Sequence, residues 1–146
     1  TLLLLVDCLN KLSDEFFDYR IVYPVHPRTL KMLEKFNLDI PRKILIIDPL
    51  PFFDFIKIES NARIIITDSG GLQEEACILK VPCITIRNNT ERPETIESGM
   101  NILVVLDAHK LTAAVREMLH KEISWKELFG EYGVGKRIIS IIINNI

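Results

Sequence analysis

The run Ile66-Thr67-Asp68-Ser69-Gly70-Gly71-Leu72-Gln73-Glu74-Glu75 has the residue types and spacing best suited to chemistry. An apolar, strand-like stretch turns there into a helix-like one through a hydroxyl residue and two glycines. Unpaired amides at a helix start, together with the helix dipole, suit a phosphate. Ser69 can add a hydroxyl donor. Glycine at 70 and 71 permits backbone angles that other residues resist and lets a ligand approach the main chain. The same run also suits an ordinary turn with a serine N-cap, and spacing alone does not separate the two. It is neither a Walker loop nor a GxGxxG motif. Glu75, one turn into the helix, places a carboxylate where two ribose hydroxyls could donate to it; equally, it is a favourable charge near a helix N-terminus. Glu74 and Glu75 point in different directions, so at most one faces a ligand.

Two further polar clusters follow strand-like runs. Arg87-Asn88-Asn89-Thr90-Glu91-Arg92-Pro93-Glu94 is dense in donors, and Arg92 can grip a diphosphate in a bidentate manner. Pro93 suits the first position of a helix, with Glu94 in its first turn. A solvated loop is the alternative. In Tyr23-Pro24-Val25-His26-Pro27-Arg28-Thr29, His26 lies between two prolines and could contact phosphate or sugar, or serve structure alone. His109 and His120 read as surface residues. No histidine pair has metal-ligand spacing, so neither a metal nor a cofactor is expected. Cys8, Cys77 and Cys83 form no CxxC pair and read as buried free thiols of a reducing, cytoplasmic setting.

The elements that must position these clusters alternate along the chain. Helical spacing runs near 2–18, and 19–24 reads as a strand stopped by Pro24. A helix is predicted over 29–36, a strand buried on both faces at 44–47, and a helix at 51–59. Strands at 63–67, 82–86 and 102–105 bracket a helix reaching Leu79 and a helical turn at 94–98 ended by Gly99. Asp107 starts a helix to about His120, 125–129 reads as a short helix, and the isoleucine-rich end as a helix or strand. Alternation with β-branched strands predicts an α/β, Rossmann-like, three-layer domain with a mostly parallel sheet. Ligands of such sheets bind beyond the carboxyl ends of the strands, where all three polar clusters fall.

Those three clusters, in that order, resemble the non-hydrolysing UDP-N-acetylglucosamine 2-epimerases; Gly130 to Lys136 is similar, less closely, to the glycine-rich segment before that family's last helix. The resemblance covers nearly the whole chain. It implies one half of a GT-B fold, with residues 1–146 a single UDP-sugar-binding domain from the C-terminal half of a two-domain protein. It implies that Ser69, Gly70 and Gly71 bind the diphosphate, Glu75 the ribose, and Arg92 the phosphates or the sugar side. His26 would lie by the diphosphate and Phe55 near the uracil; without the resemblance, Phe55 reads as a core residue. The family interconverts UDP-GlcNAc and UDP-ManNAc by proton removal at the sugar's second carbon with loss of UDP. Its acid and base are carboxylates of the N-terminal domain, and a His-Arg-x-x-Asn type motif opens the C-terminal one. Neither occurs here, so no catalytic residue is nominated.

The chain has 146 residues, enough for one domain with a core, and a formal net charge of -2, which argues against nucleic acid as a partner. The opening Thr1-Leu2-Leu3-Leu4-Leu5-Val6-Asp7 lacks a basic leader and is too short to span a bilayer; a start at Thr1 reads as a fragment. Three functions fit: an epimerase half, a stand-alone UDP or UDP-sugar binder, or the donor-binding half of a GT-B glycosyltransferase. Thr-Glu-Arg-Pro-Glu favours the epimerases over the transferases. The apolar tail, Ile138, Ile139, Ile141, Ile142, Ile143 and Ile146, together with the leucine-rich start, predicts a homodimer or a partner domain. Burial in the domain's own core is the alternative.

Overall fold

The computed structural model describes residues 2–122, 124–126, 128–129 and 132–145. Helix α1 (Leu2–Glu15) leads into β1 (Val22–Pro24), α2 (Pro27–Lys35) and β2 (Leu45–Ile47). Then follow α3 (Phe52–Ser60), β3 (Ile65–Thr67), α4 (Gly70–Ile78), β4 (Cys83–Ile86), α5 (Pro93–Glu97), β5 (Asn101–Val104), α6 (Ala108–Leu119) and α7 (Val134–Asn144). Every strand pairing is parallel. The hydrogen-bonded strands are short and form two sheets, β1-β2 and β3-β4-β5, where the sequence predicts one. Parallel sheets with helices packed on them bear out the Rossmann-like α/β expectation.

Strand alternation sorts the side chains of the larger sheet into two faces. Ile66, Ile84 and Ile102 stand in register and pack with α1 and α6, through Cys8, Leu12, Leu111, Val115 and Met118. On the other face Ile65 and Cys83 meet Ala76 and Cys77 of α4, with Met100 and Trp125. This second face also carries polar residues in the strands, Thr85 and Asn101, which decide the geometry of the site. Asp107 caps α6 as predicted, its Oδ1 accepting from the Lys110 amide at 2.8 Å. Cys8, Cys77 and Cys83 are all buried, and among the described residues none is in a disulfide.

Two expectations are corrected. Leu45 and Ile46, predicted to be buried, are 49% and 40% exposed, because β2 pairs with β1 alone and lies at a sheet edge. Residues 125–129 are not helical where described, and Glu127 lies outside the described residues. Trp125 is instead an anchor. Its indole is buried and donates to the Cys77 carbonyl at 3.3 Å, while its own carbonyl accepts from Lys80 Nζ at 3.2 Å. The tail is a helix, with no buried residue in α7; Ile146 lies outside the described residues. Gly130 also does, whereas Gly133 caps α7 at φ 90°. Among the described residues, no helix is long and apolar enough to cross a membrane.

Candidate functional site

The carboxyl ends of β1, β3 and β4 deliver the three polar clusters. After β3 the Ser69 amide donates to Thr67 Oγ1 at 3.0 Å, closing a tight turn into α4. Ser69 is the N-cap with extended angles, yet its side chain makes no capping bond. Its hydroxyl and the first amides of α4 therefore stay available at the positive end of the helix.

Of the two reasons predicted for the glycines, the backbone-angle one does not hold. Neither Gly70 nor Gly71 has a positive φ, so unusual backbone angles do not require them. Both are helical. A Cβ on Gly70 would meet nothing within 4 Å, and one on Gly71 only the Ser69 hydroxyl at 3.8 Å. The protein itself leaves this space open.

A buried polar network, missed from the sequence, holds α4 against the Thr90–Arg92 loop. Gln73 is fully buried. Its Oε1 accepts from Thr90 Oγ1 at 2.6 Å and from Asn101 Nδ2 at 3.2 Å. Asn101 Nδ2 also reaches Thr95 Oγ1 at 3.1 Å, and its Oδ1 accepts from Thr85 Oγ1 at 3.0 Å. Thr95 Oγ1 donates to the Arg92 carbonyl at 2.7 Å, and the Arg92 amide donates to Thr90 Oγ1 at 3.0 Å. One amide on α4 thus sets the height of the glycine loop relative to the arginine loop. Satisfied buried networks of this kind specify a single arrangement, and a broken one leaves desolvated groups unpaired. Asn101→Leu strands the Thr85 hydroxyl and should destabilise the fold by about 2–4 kcal/mol. Urea unfolding measures this; a change under about 0.5 kcal/mol would mean that the network carries no such tension.

Arg92 pairs with Glu74, and Glu75, the next residue of the helix, points elsewhere. The guanidinium also donates from Nη1 to the Glu91 carbonyl at 3.0 Å. Both partners of the ion pair are about one-third exposed, so the charge is aimed but wet. His26 caps α2, with Nδ1 accepting from the Arg28 amide at 3.2 Å. That acceptor role selects the tautomer with its proton on Nε2, a donor available to an anion. Burial first, then the charge of Asp68 at the end of β3, raises the Tyr23 phenol.

Ser69, Gly70, Gly71 and Glu75 thus share one helix start, and Glu74 ties Arg92 to it. His26 follows the end of β1, which belongs to the other sheet. Phe55 is half-buried on α3, outside both apolar cores, so its default reading as a core residue does not hold. Helix α3 packs on α4. Two open concavities elsewhere are lined by β5–α6 residues and by α2 with its following loop. Their linings contain none of these residues. The site is an open ledge.

Comparison with known proteins bears on what sits on that ledge. A family model described as UDP-N-acetylglucosamine 2-epimerase matches residues 1–143. The UDP-N-acetylglucosamine 2-epimerase of Methanocaldococcus jannaschii is 52% identical over 132 residues, covering 88% of this chain and 36% of the relative. A crystal structure of the UDP-GlcNAc 2-epimerase of that organism, in complex with UDP-GlcNAc and UDP, superposes with a TM-score of 0.81 at 47% identity. That match covers 94% of this chain and 41% of the other. A glycosyltransferase of kitacinnamycin shares the fold alone, at 16% identity and a TM-score of 0.63 over 83% of this chain and 32% of its own. The chain spans roughly two-fifths of the length of the epimerases it matches.

Proposed function

Because the chain belongs to the UDP-N-acetylglucosamine 2-epimerase family, we propose that it is the C-terminal, nucleotide-holding domain of such an enzyme. The observation that carries this reading is the open space over Gly70 and Gly71 at an uncapped helix start. Ser69 and the α4 amides hold the diphosphate, with Arg92 and His26 Nε2 beside it. Glu75 takes the ribose hydroxyls, and Phe55 packs near the uracil. The relative solved with UDP-GlcNAc and UDP supports the ligand class.

In the whole enzyme this domain would bind UDP while the sugar loses and regains it. Loss of UDP puts negative charge on the diphosphate, and a helix dipole with Arg92 stabilises that charge where it develops. Proton removal and return at the sugar's second carbon require groups within hydrogen-bond reach. None is nominated in this chain, and a partner domain supplies them. That domain, or a second copy, would also cover α7, where Ile138, Ile139, Ile141, Ile142 and Ile143 are all more than half exposed. A binding module without turnover is the reading to test against. UDP-GlcNAc incubated with this chain alone should give no UDP-ManNAc by NMR, and light scattering should show self-association at high concentration. Epimer formed by a monodisperse monomer would overturn the half-site reading.

A further inference from the structure

Helix α3 carries a carboxylate where an apolar side chain would serve packing better. Glu59 is 3% exposed, and neither of its oxygens has a hydrogen-bond partner. Among the described residues it forms no ion pair. The groups facing it are two: Glu75, at hydrogen-bonding range from α4, and the Cys83 thiol of β4. Neither is a cation. Two ionised carboxylates are acceptors only and cannot bond; one proton between them makes the bond and removes the repulsion. Glu59 is the more buried of the two, whereas Glu75 is only partly buried. The proton therefore belongs on Glu59.

We propose that Glu59 is a positioning residue for the nucleotide site, its protonated carboxyl donating to Glu75 and holding that carboxylate with its free lone pairs outward. This rests on the ribose role proposed above for Glu75. Burial first, then the charge of Glu75, pushes the Glu59 carboxyl up to about 7. Cys83 does not compete for the proton's role, since burial pushes its thiol up to about 12 and keeps it neutral. Below neutral pH the proton stays and Glu75 is held. Above it, Glu59 ionises and repels Glu75 from its place. The folded state holds this proton between pH 4.5 and 7, where the unfolded chain has lost it. Stability from this group accordingly falls as pH rises through that window and stays low above it.

The test compares the chain with Glu59→Gln, which stays neutral and still donates. UDP affinity is measured by calorimetry at pH 6.5 and 8.5, and melting is followed without nucleotide at pH 5 and 8.5. Comparing the two proteins at one pH cancels the ionisation of UDP itself. The unmodified chain should lose about tenfold in affinity, relative to Glu59→Gln, between the two values. Its melting midpoint should also fall relative to the variant as pH rises. Glu59→Leu, neutral without a donor, should bind weakly at both pH values, which separates positioning from charge. Equal pH slopes with binding intact would overturn the role of Glu59 alone. Absence of UDP binding by all three proteins would overturn the ribose role of Glu75, and equal melting slopes would then overturn the proton assignment as well.

Discussion

Gly70→Ala and Gly71→Ala should each abolish measurable UDP binding, a loss of at least about 100-fold, while leaving the fold as stable as before or more so. The two effects have opposite signs for one reason. Alanine in a helix is favoured over glycine by up to about 0.5–1 kcal/mol, and no protein atom stands in the way of the new methyl at Gly70. At Gly71 the nearest is the Ser69 hydroxyl, at ordinary contact distance. The methyl enters only the space proposed for the diphosphate. Gly99→Ala is the contrasting control. Gly99 has φ +77°, and its Cβ would come within 3.0 Å of Lys121 Nζ, so the substitution costs stability with no effect on nucleotide. Calorimetry and thermal melting of the three variants separate ligand space from fold. If Gly70→Ala and Gly71→Ala bind UDP like the parent, the open ledge is not the phosphate site.

Arg92→Ala should weaken UDP binding by about 10- to 100-fold with little change in melting. Charge-assisted bonds to a phosphate are strong, and a planar guanidinium that Glu74 holds in place arrives already oriented. The ion pair itself sits in water and adds little to folding. Glu74→Gln should therefore cost less affinity than Arg92→Ala, because it loosens the arginine without removing it. The parent's binding should fall with salt more steeply than that of Arg92→Ala. An Arg92→Ala variant that binds normally would assign the arginine to the loop's structure alone.

The elements were largely legible because hydrophobic period and punctuation agree along most of this chain. Pro27 and Pro93 start helices, Gly99 ends one, and Asp107 caps one. Failures occurred where neighbours decide. Leu45 and Ile46 look like a buried strand, but edge position is a property of topology. Trp125 looks helical with its neighbours, yet its hydrogen bonds go to Cys77 and Lys80 across the fold. The sequence offers two reasons for Gly70 and Gly71, and the backbone angles remove one of them. Gln73 stood inside the conspicuous motif, but its role depends on the β4–β5 register that brings Thr85 beside Asn101. No spacing in the sequence shows that register. Glu59 had a fainter signal, a carboxylate one turn after Phe55 in a mostly apolar helix, and its burial appears only in three dimensions.

Calorimetric titration of the purified chain with UDP tests the central claim most directly. The account predicts saturable binding with one UDP per chain, present without any other domain. No heat and no saturation up to millimolar UDP would contradict it: the ledge would then not hold a nucleotide unless another surface closed it.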